Sequence, residues 1–286
     1  MSNENKALWG TDGSAPNPTL NSQWSVDHDG VHYPSGPTTP TIAPGHYRVQ
    51  SSMRGPLLTP MEDVKDDLIP LGGSVAPSII ASIERFWGNE DRYRKYGMVY
   101  KRGVLLHGLP GGGKTAIIRL IANYVVEHGG ITLVPPSVDR AKEGLRMIRS
   151  VEPNRRILVV LEDLDEIVDY EETQLLSLLD GEDQINGVVY LASTNHFDKL
   201  PSRIANRPSR FDECIEVPLP SLDVRLAYLR HSAQGQDESV LEEWAKDTDG
   251  LSIAHLKELV IGVLCLDADY ASVLSRLKAM NSHDLA

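Results

Sequence analysis

No feature constrains this chain more than the segment Gly108-Leu-Pro-Gly-Gly-Gly-Lys-Thr115. It follows the short apolar run Gly103-Val-Leu-Leu-His107 and precedes Ala116 to Val126, where apolar residues recur at helical spacing. A buried strand, a glycine turn, a lysine, a hydroxyl and a helix in that order make a phosphate-binding loop. Glycines let the turn curl with successive N–H groups inward and no Cβ in the way. The following helix aims its positive end at the same point. Leu109, Pro110, Gly111, Gly112, Gly113 and Ala116 then form the cradle. Lys114 bridges β- and γ-phosphates, and Thr115 offers a hydroxyl to Mg²⁺.

The pattern around the loop predicts an α/β fold. Strands are expected at 103–107, 131–134, 156–161, 187–193 and 213–217, alternating with helices, so the sheet is parallel and covered on both faces. A helix is expected at 76–87, with Ile79, Ile80, Ile83 and Phe86 on one side. A shorter one runs through Tyr93 and Tyr96 to Gly97. After Pro218 and Pro220 the strand pattern stops, and 222–233, 238–247, 252–267 and 269–280 read as helices. Residues 61–220 are therefore expected to form the α/β domain and 221–286 an all-α lid. Residues 1–60, rich in Pro, Gly, Ser, Thr and Asn, read as a flexible arm on which Trp9 and Trp24 are candidate anchors for a partner.

Composition narrows the partners. The 286 residues carry a formal net charge of −12, which argues against nonspecific DNA binding as the main activity. Cys214 and Cys265 have no metal-site spacing and read as free thiols in a reducing compartment. No apolar run is long enough to span a bilayer, and the polar start lacks a secretory signal. A cytoplasmic protein is expected, or one of the host cytoplasm for a viral chain.

Two further strand ends carry candidate chemistry. Ile157-Leu-Val-Val-Leu161 runs into Glu162-Asp163, an acidic pair suited to orienting Mg²⁺ and polarising a water beside a phosphate loop. The strand from Gly187 ends in Ser193-Thr-Asn195, and Asn195 is placed to hydrogen-bond that water or the γ-phosphate. Arg203, Arg207 and Arg210 follow in a Pro- and Ser-rich turn, and arginines stabilise charge on a transferred phosphoryl group. Their spacing to Lys114 does not say whose active site they serve.

In this order, phosphate loop, acidic strand end, Ser-Thr-Asn and Arg207-Pro-Ser-Arg-Phe-Asp212, the chain resembles an AAA+ ATPase from about Leu71 to Ala286. Gln174-Leu-Leu-Ser-Leu-Leu-Asp-Gly181 and Tyr100-Lys-Arg-Gly-Val-Leu-Leu-His-Gly-Leu-Pro-Gly112 also resemble family segments. Leu161-Glu-Asp-Leu-Asp165 and Gly97-Met-Val-Tyr-Lys-Arg-Gly103 look most like the subgroup that includes the mitochondrial chaperone translocating the Rieske protein. The resemblance implies a P-loop NTPase fold: a three-layer parallel sheet with a small C-terminal all-α lid. It implies ATP and Mg²⁺ as ligands, and a homo-oligomeric ring, usually a hexamer and in some members a heptamer. Asp163 would stand for the hydrolytic glutamate, Glu162 for the Mg²⁺-associated aspartate and Asn195 for the first sensor. Arg207 and Arg210 would be fingers reaching a neighbour's nucleotide, while Gly72 and Ala254 would touch adenine.

The chain departs from the family in four places. The acidic pair reads Glu-Asp, the reverse of the common order. Ile253 stands where many members have Gly. Val134-Pro-Pro-Ser-Val-Asp-Arg140 holds no aromatic-hydrophobic-Gly pore loop, and Tyr170, near the second pore loop, reads as an exposed, unengaged side chain. The leading expectation is ATP-driven remodelling of an unknown protein client. A nucleic-acid-directed loader or packaging accessory is the alternative, followed by a small-molecule kinase and a nucleotide-held scaffold.

Overall fold

A computed structural model describes residues 23–284 apart from 27–29, 31, 36–37, 53–54, 63–74, 181–182, 184, 206 and 208. Trp9 and Gly72 lie outside the described residues. The chain divides into compact units over Met1–Ile42 and Ala43–Ala286. In the first, β1 (Gln23–Val26) and β2 (His32–Ser35) pair antiparallel, Gln23 opposite Ser35.

The second unit holds β3 (Gly45–Ser52), β4 (Gly55–Pro60), α1 (Ala76–Trp87), α2 (Glu90–Tyr96), β5 (Lys101–His107) and α3 (Lys114–Glu127). It continues with β6 (Ile131–Leu133), α4 (Val138–Val151), β7 (Ile157–Leu161), α5 (Leu164–Asp180), β8 (Val188–Thr194), α6 (Ser202–Ala205) and β9 (Glu213–Glu216). One seven-stranded sheet runs β4-β3-β6-β7-β8-β5-β9. All neighbours are parallel except β3 and β4.

One expectation is corrected here, and the parallel sheet gains an edge. The arm does not extend to residue 60, because β3 and β4 are strands of this sheet, and the sheet is mixed, with β4 as its antiparallel edge. β3 buries only Tyr47 and Val49, alternating with exposed Arg48 and Gln50. Two inward apolar residues leave too short a period to stand out among polar neighbours. Val49 is accommodated by Gly144 of α4, where an added Cβ would come within 2.6 Å of a Val49 methyl. β4 carries Pro56 and Pro60, which suits an edge strand that need not donate on its outer side.

The core follows from strand alternation. Val104 and Leu106 of β5, Leu158 and Val160 of β7, and Val189 and Leu191 of β8 face one side. They are covered by Ile79, Ile83 and Phe86 of α1 and Ile117, Ile121 and Val125 of α3. The alternate positions, among them Leu105, Val159 and Tyr190, are buried with Leu145 of α4 and Leu175 and Leu178 of α5. Each such side chain contributes about 1.5–3 kcal/mol on burial. Gly103 is the tightest point in β5: a Cβ there would lie 2.3 Å from the Arg210 carbonyl oxygen. Backbone cannot yield as a side chain can, so Gly103→Ala is expected to destabilise the chain by about 2–4 kcal/mol. A lowered midpoint in urea unfolding checks this.

The lid comprises α7 (Leu222–Ser232), α8 (Glu238–Asp247), α9 (Ile253–Val260) and α10 (Tyr270–Asp284). Leu229, Trp244, Leu256, Leu259, Val273 and Leu277 form its core, with Trp244 stacked on Tyr270 at 5.3 Å. The helix expected over 252–267 changes character: α9 ends at Val260 and a π-helical turn, Ile261–Cys265, follows. Gly262 sits in that turn directly against Val273.

Candidate nucleotide site

Strand register assembles the site. His107 pairs with Thr194 and Glu216 across β8 and β9, and Leu161 of β7 pairs with Ala192 of β8. The ends of four parallel strands thus meet, and the loops leaving them share one edge. This is where open α/β sheets bind ligands.

The phosphate loop leaves β5 with Gly108, Gly111 and Gly113 at φ of +148°, +70° and +101°, backbone that favours glycine. At Gly108 an added Cβ would meet the Val217 carbonyl oxygen at 2.3 Å, so the loop lies hard against the end of β9. At Gly111 it would meet Ser252 Oγ at 2.5 Å and Ala254 Cβ at 3.2 Å. Ala254 therefore packs on the phosphate loop, bringing the first turn of α9 to the site. Lys114 is buried, and its ammonium donates to the carbonyls of Gly108 (2.8 Å) and Leu109 (2.9 Å). Burial lowers its pKa, opposed by the charges of Asp163 and Asp165. Thr115 and Ala116 are exposed at the start of α3.

Glu162 and Asp163 emerge exposed from the fully buried β7. Asp163 has φ +50°, and its carbonyl accepts from Glu166 and Ile167 N–H, starting α5. Asn195 Nδ2 donates to Asp163 Oδ1 at 3.5 Å, so the predicted sensor and predicted hydrolytic acid do face each other. A cavity of about 550 Å³ opens beside Asn195, lined also by Gly108, Leu109 and Glu216.

Several site residues were not singled out in the sequence. Asp165 stands there only as the end of Leu161-Glu-Asp-Leu-Asp165, yet Thr194 Oγ1 donates to its Oδ1 at 2.6 Å. His107 stacks on Phe197 at 4.2 Å, and burial lowers its imidazole pKa. Ser252, buried against Gly111, shares a 2.7 Å hydrogen bond with His255 Nδ1. A hydroxyl immediately before the predicted sensor was the available signal for Thr194. Asp165 and Ser252 needed the packing.

The arginines divide. Arg203 is a bidentate partner of Glu172. Arg207 is 59% exposed, with Asp180 Oδ2 4.0 Å from its Nε. Arg210 is only 6% exposed: Nε donates to Asp180 Oδ2 at 3.0 Å, and its other arm donates to the Arg203 carbonyl. The two predicted fingers thus differ in their surroundings within the chain. Arg210 is held inside its own chain, because Asp180 and a backbone carbonyl take its donors, and Arg207 alone of the two points outward. The turn is anchored at the start of β5: Lys101 Nζ donates to the Ser209 carbonyl at 2.5 Å, and Asp212 accepts from Gly103 N–H at 2.7 Å. The phosphate loop leaves the other end of β5, about 20 Å away at ~3.3 Å per residue.

Oxygen donors at Thr115, Glu162 and Asp163 suit Mg²⁺, which keeps several waters and takes few protein ligands. Among the described residues no cluster of three or more His, Cys, Asp or Glu side chains forms a self-sufficient metal cage. A hydroxyl and carboxylates flanking a phosphate cradle fit a cation that arrives with the nucleotide. Tyr170 is 87% exposed, as expected, next to Glu171, whose φ of −129° kinks α5.

A strand–glycine-loop–helix unit, an acidic strand end and an asparagine on the adjoining strand, roofed by a helical lid, define a P-loop nucleoside triphosphatase. Residues 104–219 match the model of the ATPase family associated with various cellular activities (AAA). Residues 104–219 are thus an AAA ATPase domain. It is 33% identical over 198 residues to a proteasome-activating nucleotidase of Aeropyrum pernix, covering 60% of this chain and 47% of the relative. To the Methanoculleus marisnigri proteasome-activating nucleotidase it is 31% identical over 218 residues, 67% of this chain and 50% of the relative. An ATP-dependent zinc metalloprotease FtsH of Acidimicrobium ferrooxidans is 31% identical over 206 residues, 63% and 31% respectively. The chain spans about half the length of the nucleotidases it matches. These relatives do not bear on the narrower subgroup resemblance, which rests on the wording of the motifs alone.

Proposed function

We propose that this chain is a Mg²⁺-dependent ATPase that works as a homo-oligomeric ring, most simply a hexamer, and uses hydrolysis to remodel a protein partner. The observation that carries the ring is the separation of Arg207 from the phosphate loop along β5. An exposed arginine held at the far end of the strand suits a neighbour's nucleotide and not its own. Within one chain, the phosphate loop and Lys114 bind the triphosphate, and Ala254 and the lid close over it. Gly72, outside the described residues, is proposed as an adenine contact on resemblance alone. Asp163 accepts the proton of the attacking water, which Asn195 orients, and Glu162 with Thr115 serves the cation. Mg²⁺ supplies charge neutralisation on the phosphates. Arg207 of the next chain stabilises charge on the transferred group. Arg210 props the turn that presents it.

A protein client is favoured over nucleic acid by the net charge and by relatives named for activating a proteasome or for protease activity. Two free thiols suit a reducing, cytoplasmic setting. No described helix is long and apolar enough to cross a membrane.

Mixing decides the shared site. Arg207→Ala chains and Asp163→Asn chains are each expected to be nearly inactive alone. Combined, they regain a substantial fraction of phosphate release, because some interfaces pair an intact Asp163 with an intact Arg207. Mixed rings that form, by native mass spectrometry, and still show no recovery would count against a finger acting between chains.

A further inference from the structure

The β7–β8 ladder stops at Leu161 and Ala192, yet the two residues proposed to handle the attacking water, Asp163 and Asn195, lie beyond it. Past the ladder nothing in the backbone pairing fixes one segment against the other. Among the described residues two hydrogen bonds cross that gap, Asn195–Asp163 at 3.5 Å and Thr194–Asp165 at 2.6 Å. The first is at the outer limit of a hydrogen bond, and the second is short and well formed. We propose that Thr194 and Asp165 are a positioning pair that holds the Asp163 carboxylate in register with Asn195. The proposal rests on the hydrolysis reading above.

Placement and burial support it. Thr194 ends β8, is fully buried, and sits one residue before Asn195. Asp165 lies two residues after Asp163, in the first turn of α5. The clamp therefore flanks the working pair on both chain segments. Thr194 Oγ1 also accepts from His196 N–H at 3.0 Å, which orients its own proton toward Asp165 and fixes the backbone on the far side of Asn195. Asp163 itself is held at a left-handed φ while its carbonyl begins α5. Rotation of that helix start would swing the Asp163 carboxylate, and the Thr194 bond opposes such rotation. Asp165 also contributes, after Asp163, to the negative field at Lys114. Neither Thr194 nor Asp165 need touch the nucleotide for this role.

The test measures Mg-ATP turnover by phosphate release, and affinity for a fluorescent ATP analogue, on the full chain. Thr194→Val keeps the shape and removes the donor. It is expected to lower kcat about 10-fold or more, with analogue affinity within about 2-fold, since a misplaced catalytic group costs rate without costing binding. Thr194→Ser restores the donor and is expected to recover kcat to within about 3-fold of wild type. Asp165→Ala removes the acceptor from the less buried partner and guards against a valine variant that fails to fold. It is expected to give a similar kcat loss, and the double variant no more than either single one. Unchanged kcat in both single variants overturns the pair. So do fully additive losses, a serine variant as slow as valine, or analogue affinity falling in step with kcat. A wild type that releases no phosphate overturns the hydrolysis reading and the pair with it; an active wild type with unaffected variants overturns the pair alone.

Discussion

Lys114→Ala is expected to weaken ATP binding about 100-fold, the equivalent of about 2.7 kcal/mol, which charge-assisted hydrogen bonds to phosphate readily supply. The structure sharpens why. The lysine stem is buried and the ammonium already lies at the loop, bonded to Gly108 and Leu109 carbonyls. Little side-chain entropy remains to be lost when phosphate arrives. Burial depresses the pKa of Lys114, while Asp163 and Asp165 hold it up. A charged ligand would raise it further, so binding is expected to favour the ammonium form and to weaken as pH rises through its pKa. Calorimetric titration with MgATP checks the affinity. An unchanged urea midpoint for the variant separates lost phosphate contact from lost fold. Affinity within about 3-fold of wild type would show that the loop amides alone hold the nucleotide.

Asp163→Asn is expected to leave that affinity within about 3-fold and to cut turnover by about 10²–10³-fold, the usual cost of removing a general base. The substitution is clean for a backbone reason. Asp163 sits at φ +50°, a region that Asp and Asn enter far more readily than other L-residues. Asparagine keeps that conformation, whereas alanine would confound lost chemistry with strain. The same geometry gives a physical reason for the Glu162-Asp163 order. A glutamate at 163 would carry a longer side chain on a backbone that disfavours it. Glu162→Gln is the companion variant, expected to lose about 10-fold or less, most of it regained at high Mg²⁺, because its proposed role is toward the cation. Single-turnover phosphate release separates the two. Full turnover by Asp163→Asn beside an inactive Glu162→Gln would reverse the division of labour.

Much of the fold is legible in the residues because it depends on local rules. The run 103–107 is apolar because β5 is an interior strand, paired with β8 and β9 and covered on both faces, and such strands need no alternation to be recognised. The helix over 76–87 declares itself through Ile79, Ile83 and Phe86. β3 does not, because only Tyr47 and Val49 face inward and its partner β4 is an edge strand with two prolines. Local pattern also misses the change at Val260, where a glycine packed on Val273 marks a π-helical turn inside a good helical periodicity.

The candidate site divides along the same line. The phosphate loop is contained in Gly108 to Thr115, since backbone freedom, charge and hydroxyl are properties of consecutive residues. Glu162, Asp163 and Asn195 are legible as strand-end polar residues, and parallel register then brings them together. What the chain alone could not decide is which of two equivalent-looking arginines is exposed. Arg207 and Arg210 occupy the same turn and carry the same chemistry. The structure separates them because Asp180, at the end of α5, and the Arg203 carbonyl bury Arg210, while Arg207, 4.0 Å from the same Asp180, stays more than half exposed. Nor could it show that Thr194 reaches Asp165 across 29 residues, or that Ala254 of the lid packs on Gly111. Phosphate chemistry is written in neighbouring residues, where the covalent chain sets the geometry. The pairing of distant side chains is set by strand register and burial, which exist only once the chain has folded.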